Sequence, residues 1–200
     1  YISEDGNHLL ATTNVGNYNG SNNGQRNQGP LLYRNRSTSD WIMTNDRSPN
    51  PDVNIGCSIN QFKANADFTK AFMVIHYNSN VSNTKIVKKF DGTPANIALY
   101  ADGTSNGWSN VRSINSGQFG PLDMSMDGNI LLYAYGTELN ISRDAGNTFG
   151  NLASNTSSGI FTGVSGWNSL SISSDSSVIV AVANNTNSPI YISTDIGYTW

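Results

Sequence analysis

Residues Leu170 to Trp200 read LSISSDSSVIVAVANNTNSPIYISTDIGYTW. Three strand signals lie in this stretch, the first beginning one residue before it. Ser169 to Ser173 alternates polar and apolar residues, Val178 to Ala183 is a β-branched apolar run, and Pro189 to Ser193 alternates again. Ser-Asp-Ser-Ser and Asn-Asn-Thr-Asn-Ser separate them, and these residues favour tight turns because their short side chains bond the local backbone. The stretch therefore predicts a meander of short antiparallel strands. No window of the chain holds a sustained helical period.

The same order recurs upstream. Leu122 to Phe149 (LDMSMDGNILLYAYGTELNISRDAGNTF) runs strand, Ser-x-Asp turn, apolar strand, polar loop, alternating strand and a second turn ending in Thr-aromatic. Earlier copies are looser: Tyr1 to Thr13 with Leu31 to Trp41, and Phe62 to Tyr77 with Ile97 to Trp108. First-turn aspartates fall at Asp5, Asp67, Asp127 and Asp175, and closing aromatics at Trp41, Trp108, Phe149 and Trp200. A repeat of this size suits one four-stranded blade. The reading is an all-β chain, a single β-propeller domain or fragment of about four four-stranded antiparallel blades, with repeats near 1–47, 57–112, 119–152 and 167–200. Asn65 to Phe72 is read as strand–turn–strand rather than helix. The chain is expected to be a piece of a propeller of roughly six to eight blades, or to take a strand from another segment.

Composition sets the bounds on function. Charged residues are only 12%, against about 25% in an average domain. Polarity comes instead from 29 Asn, 26 Ser, 15 Thr and 19 Gly. A net charge of −3 argues against a nucleic-acid partner, which needs a basic face. No apolar stretch approaches the ~20 residues of a transmembrane helix, so no membrane span is expected. The lone Cys57 excludes an intrachain disulfide. Charge is uneven, since no basic residue follows Arg143.

Six Asn-x-Ser/Thr sequons occur, at Asn19, Asn35, Asn80, Asn140, Asn155 and Asn184. They are possible glycosylation sites and point to an extracellular, secreted or virion-surface setting.

Two segments carry a specific motif. Ser142-Arg-Asp144-Ala-Gly146-Asn-Thr148-Phe149 and Ser193-Thr-Asp195-Ile-Gly197-Tyr-Thr199-Trp200 both read S-x-D-x-G-x-T-aromatic. The pattern resembles the Asp-box, the bacterial neuraminidase repeat of sialidase-like β-propellers. Within the box, Asp accepts bonds from its own turn, Gly permits positive φ, Thr adds a local bond and the aromatic fills space between blades. The resemblance implies outer hairpin turns away from a catalytic face, so Asp144 and Asp195 are read as structural.

Sialidases of this family use an arginine cluster, a Tyr–Glu pair and an acid Asp. The chain lacks their Arg-Ile-Pro signature, and its only glutamates, Glu4 and Glu138, fall at turns. Asp52, Asp91 and Asp123 are the aspartates outside turns that a two-aspartate glycosidase, such as a xyloglucanase-like enzyme, would call on. His8 and His76 lack a third partner for a metal. No catalytic residue, metal site or cofactor is assigned. The favoured reading is a non-catalytic surface module that scaffolds or binds, its partner another protein, a further copy or glycans. Tyr18, in the loop Asn14 to Pro30, and Trp167 are the ligand-binding candidates. The alternative is a fragment of a sialidase-like or xyloglucanase-like glycoside hydrolase.

Overall fold

The computed structural model describes residues 1–12, 31–38, 40–43, 56–78, 83–97, 107–114, 119–152, 160–161, 163–164, 166–184 and 189–200. The named elements there are all β-strands, apart from one 3-10 turn at Pro94–Asn96. Four antiparallel meander sheets follow one another along the chain, the blade construction of a β-propeller.

Blade 1 holds β1 (His8–Thr12), β2 (Leu31–Asn35) and β3 (Ile42–Met43). A single bridge, Ile2 to Leu9, opens a further strand position beside β1. Blade 2 holds β4 (Gly56–Ala64), β5 (Lys70–Asn78), β6 (Asn83–Asp91) and β7 (Trp108–Ile114). Blade 3 holds β8 (Phe119–Met124), β9 (Leu131–Tyr135), β10 (Glu138–Ser142) and β11 (Gly150–Asn151). Blade 4 holds β12 (Trp167–Ile172), β13 (Ile179–Ala183) and β14 (Ile190–Ser193). Blades 1 and 4 thus show three strands among the described residues, where four per blade was expected. Within Asn65 to Phe72, residues 65–69 turn between β4 and β5 and Lys70 to Phe72 begin β5.

The chain divides into two compact units, Tyr1–Ser116 and Gly117–Trp200, with two blades in each. In the first, Leu10 and Tyr33 of blade 1 bury against Phe62, Phe68, Met73 and Phe90 of blade 2. The Glu4 amide donates to the Ala66 carbonyl across that joint, 2.9 Å. In the second, Leu132, Ala134, Leu139 and Ile141 of blade 3 bury against Ile179, Ala181 and Tyr191 of blade 4. β8 and β12 lie side by side there, and the Ile172 amide donates to the buried Asp123 carboxylate, 2.8 Å. Burial of these apolar faces is the main favourable term in each unit.

Trp167 is a correction to the sequence reading. It was a ligand-binding candidate, but the ring is buried between Phe161, 5.4 Å away, and Tyr191, 5.6 Å away. Its indole N–H donates to the Thr137 carbonyl, 3.3 Å. It is a core residue of the second unit.

Candidate functional site

The polar chemistry of the described residues concentrates in the turns. Four first turns share one geometry: Ser3 to His8, Asn65 to Lys70, Ser125 to Ile130 and Ser173 to Val178. In each, the first residue's amide donates to the carbonyl five residues on, at 2.9–3.0 Å, and the fourth residue's amide donates back, at 2.9–3.2 Å. The Ser hydroxyl donates to the Asp two residues on: Ser3 to Asp5 and Ser125 to Asp127 at 2.6 Å, Ser173 to Asp175 at 2.7 Å. Each Asp also accepts the amide two residues further on, from Asn7, Thr69, Asn129 and Ser177, at 2.9–3.1 Å. Blade 2 substitutes Asn65 for Ser, and its side-chain carbonyl accepts the Lys70 amide at 2.8 Å.

The fourth position has positive φ in all four turns: Gly6 67°, Phe68 59°, Gly128 71° and Ser176 64°. A side chain at such a position is strained, so Phe68 and Ser176 are held there by the bonds around them.

The second turns of blades 3 and 4 are superimposable in their bonding. The Ser142 hydroxyl donates to Asp144, 2.7 Å, and accepts the Gly146 amide, 2.8 Å. Ser193 does the same with Asp195 and Gly197, at 2.8 Å each. The Thr148 amide and hydroxyl donate to the two Asp144 oxygens at 2.8 and 2.6 Å, and Thr199 repeats both distances on Asp195. Two successive residues have positive φ in each turn: Ala145 55° and Gly146 80°, Ile196 58° and Gly197 77°. A Cβ on Gly197 would also meet Ile141 Cδ1 of blade 3 at 2.9 Å. Trp200 closes its turn edge-on to Phe161, 5.5 Å, and Phe149 edge-on to Tyr133, 5.3 Å. Trp41, the closing aromatic of blade 1, is exposed instead.

These bonds fix the electrostatics. The Thr148 hydroxyl and amide, then Ser142, hold Asp144 down to about 2 from the usual carboxylate value of 3.8. Thr199, then Ser193, does the same for Asp195, Ser3 and Asn7 for Asp5, and Ser173 and Ser177 for Asp175, each to about 2. At Asp67 burial pushes upward, but bonds from Thr69 and Asn65 outweigh it and the value falls. A general acid needs a pKa near the working pH. These carboxylates instead stay ionised and face donors of their own turns.

One cation joins the second turns of blades 3 and 4. Arg143 reaches from blade 3 to donate from Nε to the Ile196 carbonyl of blade 4, 2.9 Å, and its guanidinium lies 4.1 Å over the exposed Tyr198 ring. Both residues occupy variable positions of their motifs, so motif matching alone passes over them. The signal was the pairing of a cation and an aromatic in the two copies. His8 bonds the Tyr33 hydroxyl through Nδ1, 2.7 Å, as a satisfied strand histidine.

The sequons separate by burial. Asn140 is buried between the strands of blade 3, with its amide donating to Glu138, 3.3 Å, which corrects its reading as a glycan acceptor. The Asn35 side-chain oxygen accepts the Ser37 amide, 2.9 Å, and hydroxyl, 2.8 Å, and so builds its own turn. Asn184 is exposed at the end of β13. Asn19, Asn80, Asn155 and Tyr18 lie outside the described residues. Among the described residues, no group of three His, Cys, Asp or Glu could hold a metal, and no helix is long and apolar enough to cross a membrane.

No family model and no curated protein matches the chain. Solved structures do match it. One belongs to a structural and mechanistic study of two prolyl endopeptidases, with 11% identity and a TM-score of 0.37 over 96% of this chain and 32% of that one. Another is prolyl oligopeptidase B from Galerina marginata bound to a hydrolysis and macrocyclization substrate, with 10% identity and a TM-score of 0.39 over 96% of this chain and 31% of that one. The chain therefore spans less than a third of the length of either.

Proposed function

We propose that this chain is a non-catalytic β-propeller module of the Asp-box kind, acting as a scaffold or binding surface outside the cell or on a virion. The observation that carries the reading is the state of the box carboxylates. Both oxygens of Asp144 and of Asp195 accept bonds from their own turns. Such aspartates pin strands; they do not shuttle protons. The S-x-D-x-G-x-T-aromatic pattern and its paired positive φ values support the Asp-box assignment. Low charge and the exposed sequon at Asn184 support the surface setting. With Trp167 buried, scaffolding is favoured over sugar stacking at that residue.

The test is an assay of the purified chain on fluorogenic sialosides and xyloglucan oligosaccharides, with a glycan array in parallel. No turnover is expected with either substrate. Turnover lost on substituting any aspartate outside the turns, Asp123 included, would return the chain to the glycoside hydrolases.

A further inference from the structure

Alternation along β10 gives blade 3 two different faces. Leu139 and Ile141 join Leu132 and Ala134 in the core shared with blade 4. Glu138 and Asn140 take the other face, directly opposite Tyr135 and Tyr133 of β9. At the start of β8, Phe119 pairs with Tyr135, and its ring lies 5.5 Å from Tyr135 and 5.9 Å from Tyr133. Tyr135 and Glu138 flank the Gly136–Thr137 hairpin turn, so the cluster sits at the end of the blade opposite both Ser–Asp turns. Phe119, Tyr135 and Glu138 are half-buried, whereas Asn140 beside them is 3% exposed.

Asn140 is the odd member of this cluster. A carboxylate only accepts, so the amide turns its nitrogen to Glu138, and that 3.3 Å bond is its one side-chain bond among the described residues. Its second amide hydrogen and its carbonyl oxygen meet no partner there. Buried polar groups are normally satisfied, so an unmet one beside half-buried aromatic rings points to a ligand. The fold itself does not ask for an amide. Blade 4 holds Tyr191 two residues before Ser193, where blade 3 holds Asn140 two before Ser142, and Tyr191 is an ordinary core residue. The ligand must both donate and accept. An ammonium accepts nothing and would leave the second Asn140 N–H unmet, and an anion would meet the Glu138 carboxylate. The hydroxyls of a neutral sugar do both, and the Phe119 and Tyr135 rings offer apolar surface to the C–H face of a pyranose.

We propose that Phe119, Tyr135, Glu138 and Asn140 form a binding site for a neutral saccharide, in which the Asn140 amide engages a pair of hydroxyls and Glu138 accepts from a neighbouring one. The residue that is too buried to carry a glycan thereby reads one. The site rests on the module reading and names its ligand class.

The test is saturation-transfer NMR of the full chain with lactose, maltotriose and cellotetraose, each titrated to about 10 mM, where a site with a Kd of about 1 mM is nearly filled. At least one sugar receives transfer, and tetramethylammonium chloride at the same concentration does not displace it. Asn140→Leu, of similar branched shape, abolishes transfer, and its urea midpoint does not fall, because the unmet polar group is gone. Glu138→Gln weakens binding by more than about fivefold, since a charge-assisted bond becomes a neutral one. Should Asn140→Leu lower the midpoint, Glu138→Gln decides alone. No transfer from any of the sugars, displacement by tetramethylammonium, wild-type binding by a stably folded Asn140→Leu, or wild-type affinity in Glu138→Gln overturns the proposal. Hydrolysis of a bound sugar removes the non-catalytic reading and leaves the site, whereas neither binding nor hydrolysis removes the site alone.

Discussion

Blades 3 and 4 have the same two turns and the same strand register, yet β10 is buried on both faces and β14 on one. Ile141 and Ile192 hold the same place in the repeat. The difference lies in the neighbour: blade 4 covers β10, and no described residue is packed against the matching face of β14 in the way blade 4 covers blade 3. Strand formation is thus a local property of the turns, and stability is a property of the joint between blades. That is the behaviour of a repeat protein, whose energy divides into units and interfaces.

The largest test of this division is to cut the same side chain in both places. Ile141→Ala should cost about 2–5 kcal/mol in denaturant unfolding, through lost burial and a cavity. Ile192→Ala should stay within about 0.5 kcal/mol in the monomer, as exposed substitutions do. Equal losses would show that β14 is covered in solution.

The turns should respond alike. Ser142→Ala and Ser193→Ala each leave a buried Gly amide without its acceptor, costing about 1–3 kcal/mol. A large inequality would break the equivalence of the two turns. Next in size is the fourth position of the first turn. Gly128→Ala should lose about 1 kcal/mol at its positive φ, and Ser176→Gly should gain several tenths. Urea midpoints measure both.

Acid should act on both blades through the same groups. Asp144, Asp175 and Asp195 have folded values depressed from 3.8 to about 2. Their contribution to stability is full above the unfolded value and disappears as pH falls through the folded one. Urea midpoints should therefore drop between about pH 4 and pH 2, and Asp144→Asn should flatten that drop. The smallest effect concerns sugars. In a secretory host, Asn184→Gln should remove one glycan mass and Asn140→Gln none, read by intact mass spectrometry.

What the sequence made legible follows from distance along the chain. The Ser–Asp turns bond within five residues, so their residue types announce them, and the all-β blade order follows from the turns. Trp167 was misread because Tyr191, which helps to cover it, comes from β14, and Phe161 from a turn that carries no strand or helix signal. Asn140 was misread for a different reason. A sequon match carries no information on burial, and Asn140 lies on β10, whose residues Leu139 to Ser142 are all buried, so that alternation along the strand leaves it no outward face. Arg143 over Tyr198 was missed because it joins two copies that a repeat alignment treats separately.

The short span of the turn bonds has a consequence in time. No Ser–Asp contact needs a long loop to close, so little chain entropy opposes it, and a β-hairpin forms in roughly 1–10 μs. The hairpins are expected to form first and the joints between blades later. Ser142→Ala should then slow folding, while Ile141→Ala should mainly speed unfolding, a contrast that stopped-flow chevrons resolve. Each hairpin carries its own instructions for assembly, which lets such a unit be copied along a gene without redesigning its neighbours.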